Sequence, residues 1–109
     1  MVTQSIALIQ ITELLKSLVA FGYRPEKAVL FGSVAKGTAD AHSDIDLAVW
    51  DSRFTGSLTI DYEPIKRLLT AFPRIELHTF STADLANPFV SEIKKTGIEI
   101  DLKGISLNR

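Results

Sequence analysis

The chain has no cysteine, which excludes a disulfide framework, a thiolate metal site and a cysteine nucleophile. It also has almost no net charge, with 12 basic and 13 acidic side chains leaving −1 at pH 7. A surface so balanced carries no basic field, so nucleic acid is a poor candidate for a tightly held partner. Long apolar runs are missing too: the stretch Ile6–Ile11 lacks a basic start and is soon broken by Thr12, Glu13 and Lys16. It fits neither a signal peptide nor a membrane span, and a cytoplasmic address is expected. Internal repeats, low-complexity segments and linkers are absent as well. With 109 residues and 46% hydrophobic content, residues 1–109 are expected to form a single domain with a modest core and no second catalytic module.

What is present is a series of short periodic segments. Leu8, Ile11, Leu14, Leu15 and Leu18 recur at helical spacing, with Thr3 or Ser5 as caps and Gly22 as the stop. Lys27–Phe31 reads as a first strand, followed by a turn at Gly32, a short helix that Gly37 ends and a polar loop from Thr38 to Ser43. Ile45–Trp50 is a second strand. After a loop from Arg53 to Leu58, Asp61 is expected to cap a helix carrying Ile65, Leu68, Leu69 and Phe72 on one face, with Pro64 tolerated in its first turn. Ile75–Phe80 is a third strand, Pro88–Thr96 a last helix closed by Gly97, and Ile98–Leu102 an edge strand; residues after Lys103 are expected to fray.

The most informative string is LFGSVAKGTADAHSDIDLAVW, from Leu30 to Trp50. A glycine turn leaving a strand for a helix exposes backbone N–H groups that, with the Ser33 hydroxyl, can hold phosphate oxygens. Strand alternation from Ile45 points Asp44 and Asp46 one way and Ile45, Leu47 and Val49 the other, into a core. Two carboxylates so close disfavour joint ionisation unless a cation lies between them. Hard oxygen ligands beside a triphosphate suit Mg²⁺. On the third strand Glu76, His78 and Phe80 share a face, so Glu76 can project toward the aspartates.

At these residues the chain resembles the polymerase-beta-like nucleotidyltransferase superfamily, specifically its minimal (MNT) branch. Ten residues separate Ser33 from Asp44, matching the family pattern of Gly-Ser, ten residues, then Asp-x-Asp. Gly37 fits, as does Lys36 where the family often has a basic residue, and RIELHTF with NPFVSEIKKTGIEID is similar to the family's third-carboxylate strand, last helix and closing strand. The resemblance implies an α/β nucleotidyltransferase fold: a small mixed sheet with helices mainly on one face and the carboxylates on the other. It implies Mg²⁺-dependent transfer of a nucleoside monophosphate, AMP from ATP, to a hydroxyl, with two ions and Mn²⁺ as a substitute. Gly32, Ser33 and Lys36 would bind the nucleotide's phosphates; Asp44, Asp46 and Glu76 would be the catalytic, metal-holding carboxylates. The third position is more often aspartate in relatives, so Glu76 adds a methylene of reach. Larger relatives carry helical domains that bind the acceptor. The minimal branch implies instead a small helical HEPN-type toxin as partner and acceptor, this chain serving as antitoxin by modifying a tyrosine of that partner.

Two other readings stand beside this one. The same fold with a vestigial site could neutralise a partner by occlusion alone, and a free-standing transferase could act on a small-molecule hydroxyl. His42 and His78 lack metal-ligand spacing and read as loop and packing residues. Phe31, Trp50 and Phe54 read as packing aromatics, one of which could stack on a base. The spacing from Gly32 to Gly37 imitates a P-loop, but Thr38 stands where the lysine would follow.

Overall fold

The computed structural model describes residues 3–40, 43–83, 93 and 95–106. Strands β1 (Lys27–Phe31), β2 (Ile45–Trp50), β3 (Ile75–Phe80) and β4 (Ile98–Glu99) form one four-stranded sheet in the order β3-β2-β1-β4. β1 runs antiparallel to β2 and β4, whereas β2 and β3 are parallel. A parallel pair needs a crossover, and the helical stretch between β2 and β3 provides it.

Helix α1 (Gln4–Ala20) begins where the Thr3 hydroxyl accepts a hydrogen bond from the Ile6 N–H at 3.2 Å. Its buried residues Ala7, Ile11, Leu14, Leu15 and Leu18 repeat every three or four positions and so form one stripe. That stripe packs on Ala28, Leu30, Leu47, Val49 and Leu77, the side chains that β1, β2 and β3 turn to the same face. Val34 of α2 (Gly32–Lys36) and Ile65 join this core. The opposite face carries a smaller apolar group, Val29, Ala48, Trp50 and Ile93, with Phe31 and Phe80 against it. Trp50 and Phe80 stack there with ring centroids 4.8 Å apart. The expected main helical layer on one face of the sheet is therefore the observed one, while the helical Ile93 packs on the other face.

Three local expectations are corrected. Helix α3 (Leu58–Tyr62) starts four residues earlier than expected, with Ser57 instead of Asp61 at its N-cap, and leads through a 3₁₀ turn, Glu63–Ile65, into α4 (Lys66–Leu69). Pro64 has no N–H to donate to the preceding turn, which accounts for the tighter segment at that point. Asp61 is consequently inside the helical stretch and only 4% exposed. Its carboxylate accepts hydrogen bonds from the Thr55 N–H (2.8 Å), the Thr55 hydroxyl (3.1 Å), the Gly56 N–H (3.1 Å) and the Thr79 hydroxyl (2.7 Å). It ties the loop after β2 to β3. Second, β4 is shorter than Ile98–Leu102, although the Ile100 N–H still donates to the Ala28 carbonyl at 2.8 Å. Third, residues 103–106 form a helical turn, α5 (Lys103–Ser106), which buries Ile105 in the main core instead of fraying. Most of the expected helix Pro88–Thr96 lies outside the described residues; 93, 95 and 96 are helical.

Candidate active site

The register of the sheet determines which polar side chains can meet. Phe31 of β1 is opposite Asp46 of β2, and Asp46 is opposite Glu76 of β3; one row further along, Ala48 is opposite His78. Side chains of one face repeat every second residue, so Phe31, Asp46, Glu76 and His78 all lie on the face away from α1. The small side chain of Ala48 leaves room for the His78 ring to lean toward the carboxylates. His78 Nε2 comes within 3.6 Å of Asp46 Oδ1 and 3.5 Å of Glu76 Oε2. Phe31 meets the same ring edge-on, with centroids 5.0 Å apart. One ligand atom from each of Asp46, Glu76 and His78 falls within 4.8 Å of the others.

The Gly-Ser turn reaches this group directly. Gly32 has φ +77°, in the left-handed region, and a Cβ placed on it would overlap Asp46 Oδ2 and lie 3.1 Å from Asp46 Cγ. Only glycine allows the start of α2 to approach the aspartate so closely. Ser33 follows, half-buried, with its carbonyl accepting from the Thr38 N–H at 2.9 Å. Lys36 is one helical turn beyond Gly32, on the same side of α2, and exposed.

Burial and the Glu76 charge push the Asp46 carboxyl above its ordinary range, Asp44 adds to this, and His78 partly offsets it. Asp44 is exposed and precedes β2, next to Ser43, whose hydroxyl accepts from the Asp40 N–H at 3.0 Å. It acts on Asp46 through its charge and stands outside the three-residue group. Glu76 is the more open of the two clustered carboxylates, with half of its side chain exposed against a quarter for Asp46.

The donor set fits a divalent cation. Two carboxylates on neighbouring strands, one of them resisting ionisation, gain most from a positive charge between them. His78 Nε2 points to the same requirement: it is buried and has no hydrogen-bond partner among the described residues. A buried atom left with two carboxylate oxygens at 3.5 and 3.6 Å and no well-formed hydrogen bond is uncommon in a folded protein.

Of the residues singled out from sequence, then, Gly32, Asp46 and Glu76 are brought together, Ser33 is adjacent to them, and Asp44 and Lys36 are exposed at the margin. His78 was expected to pack and instead stands between the two carboxylates. Its place on the face of Glu76 was readable from alternation, but the lean over Ala48 depends on the pairing of β2 with β3. His42 lies outside the described residues.

Among the described residues no helix is long and apolar enough to cross a membrane. No curated protein matches the chain. A solved structure from Sulfolobus solfataricus, named a "putative nucleotidyltransferase", is similar in fold, with a TM-score of 0.67 and 15% identity over 88% of this chain and 80% of that one. The family model described as "Polymerase beta, Nucleotidyltransferase" matches residues 10–103, from the middle of α1 to the start of α5. That match takes in the Gly-Ser turn, β2 and β3 together, and the chain belongs to the polymerase beta nucleotidyltransferase family.

Proposed function

We propose that this chain is a minimal nucleotidyltransferase that transfers AMP from ATP to a hydroxyl of a small helical HEPN-type toxin, most simply a tyrosine, and so serves as its antitoxin. The observation that carries the reading is the meeting of the Gly32 turn with Asp46 and Glu76 on the face not covered by α1.

In this reading the Gly32 and Ser33 N–H groups and the Ser33 hydroxyl donate to the β- and γ-phosphates, with Lys36 adding positive charge one turn away. Asp46 and Glu76, helped by Asp44, would hold Mg²⁺, which supplies charge stabilisation for the attacking and leaving oxygens. Glu76, half-exposed, is the group best placed to accept the proton of an incoming hydroxyl or to hold a second ion. The acceptor oxygen forms a bond to the α-phosphorus as the bond to the bridging oxygen breaks, and pyrophosphate leaves with its electron pair. Holding that oxygen in line can contribute several kcal/mol, on the order of 7 or more. Helix α1 is committed to the opposite face of the sheet, so an acceptor over Glu76 would be held by other groups. A partner protein supplies them in this reading.

Co-expression with the proposed partner tests it. ATP labelled at the α-phosphate should place label on the partner and release pyrophosphate, and Asp46→Asn should abolish both labelling and protection from toxicity. Protection that survives Asp46→Asn, with no label transferred, would establish occlusion instead. A label transferred by the chain alone to a small metabolite would make it a free-standing transferase.

A further inference from the structure

We propose that the His78 imidazole is a direct metal ligand, so that Asp46, Glu76 and His78 form a mixed oxygen and nitrogen set that favours a first-row transition divalent ion over Mg²⁺. This rests on the reading of the Asp46–Glu76 face as a metal-nucleotide site.

The distances carry the argument. His78 Nε2 is 3.6 Å from Asp46 Oδ1 and 3.5 Å from Glu76 Oε2, both longer than a formed hydrogen bond. Two ligands bound to one ion at roughly 2.1 Å each, and subtending a near-tetrahedral angle of about 115°, are separated by about this much. Both His78 distances are short enough for one ion to bridge, and the three ligand atoms lie within 4.8 Å of one another, so a small inward shift of the carboxylates would complete the set. Burial points the same way, because Nε2 is shielded from solvent and has no hydrogen-bond partner among the described residues. Phe31 meets the ring edge-on, with centroids 5.0 Å apart, and the small Ala48 is its register partner on β2.

Chemistry then sets the preference. Mg²⁺ binds oxygen almost exclusively and retains its waters, whereas imidazole is a good ligand for the later first-row divalent ions, whose affinity for such sites rises along the series from Mn²⁺. Replacing one oxygen vertex by nitrogen costs Mg²⁺ a ligand and gives Co²⁺ one.

Calorimetric titration of the metal-free full chain with Mg²⁺, Mn²⁺ and Co²⁺ tests this, using the parent protein, His78→Ala and Asp46→Asn. The parent should bind Co²⁺ at least about tenfold more tightly than Mg²⁺, and His78→Ala should lose about tenfold for Co²⁺ while changing little for Mg²⁺. Pulsed electron paramagnetic resonance of Mn²⁺ on the parent should show nitrogen hyperfine coupling, a readout independent of how the variant folds. Co²⁺ affinity unaffected by His78→Ala, with no nitrogen coupling in the parent, overturns the inference. If those results accompany divalent binding that Asp46→Asn abolishes, the His78 assignment alone fails. If the parent binds none of the three ions, the reading of the site fails with it.

Discussion

Gly32 and Asp46 are in direct apposition: a Cβ at position 32 would occupy the space of the Asp46 carboxylate. Gly37, at the other end of the same short helix, has the same φ of +77°, yet a Cβ there would meet nothing within 4 Å. The two glycines therefore separate backbone strain from a requirement for space. Gly37→Ala is expected to cost about 1–2 kcal/mol of stability from the left-handed backbone alone. Gly32→Ala should cost more and also weaken divalent binding, because Asp46 must move. Unfolding and metal titration of the two variants side by side check this, and equal effects would remove the proposed link between the Gly-Ser turn and the aspartate.

Asp46 gives a prediction of opposite sign. Its carboxyl titrates above the ordinary 3.8, chiefly through burial and then through Glu76. The native state thus holds the proton more tightly than the unfolded chain, and stability falls as pH rises from the unfolded value through the native one. The metal-free protein should lose stability over that window and stay at the lower level above it. Asp46→Asn, neutral throughout, should melt higher than the parent near neutral pH and lose this pH-dependent difference in acid. Melting curves in chelator from about pH 4 to about pH 7 provide the check. A variant that melts lower at neutral pH would show that Asp46 serves the fold rather than the site.

Asp61 is the structural counterpart. It is nearly as buried as any core residue and accepts hydrogen bonds from Thr55, Gly56 and Thr79. Asp61→Ala leaves those donors without their acceptor and should cost on the order of 3 kcal/mol; Thr79→Val, which removes one of them, about 1 kcal/mol. Because both residues share one contact, the double variant should cost less than the sum. Denaturant unfolding of the three variants measures this directly, and additive losses would mean that Asp61 and Thr79 do not act together.

The contrast between Asp46 and Asp61 indicates what was legible in the sequence. β1, β2 and β3 follow from alternation and turn residues, and α1 from its Leu and Ile spacing with Thr3 in front. These signals lie within a few residues of one another. Asp61 has its Thr79 partner 18 residues away, so its local context suggested only a helix cap. The shortening of β4 and the burial of Ile105 likewise depend on contacts with β1 and α1, which are distant in the chain. The Gly-Ser and Asp-x-Asp spacing located the candidate site because that motif is local. His78 was missed because its position between the carboxylates requires the Asp46–Glu76 register, the small Ala48 and the Phe31 ring together.

If Gly32, Asp46 and Glu76 form one metal-dependent nucleotide site, ATP binding must depend on both the ion and Asp46. Equilibrium binding of ATP to the full chain, with and without a divalent ion and in the parent and Asp46→Asn proteins, tests it most directly. The parent should bind ATP at least about tenfold more tightly when the ion is present, a difference of about 1.4 kcal/mol, and Asp46→Asn should remove the gain. ATP binding of equal strength without the ion, and unchanged in Asp46→Asn, would contradict it.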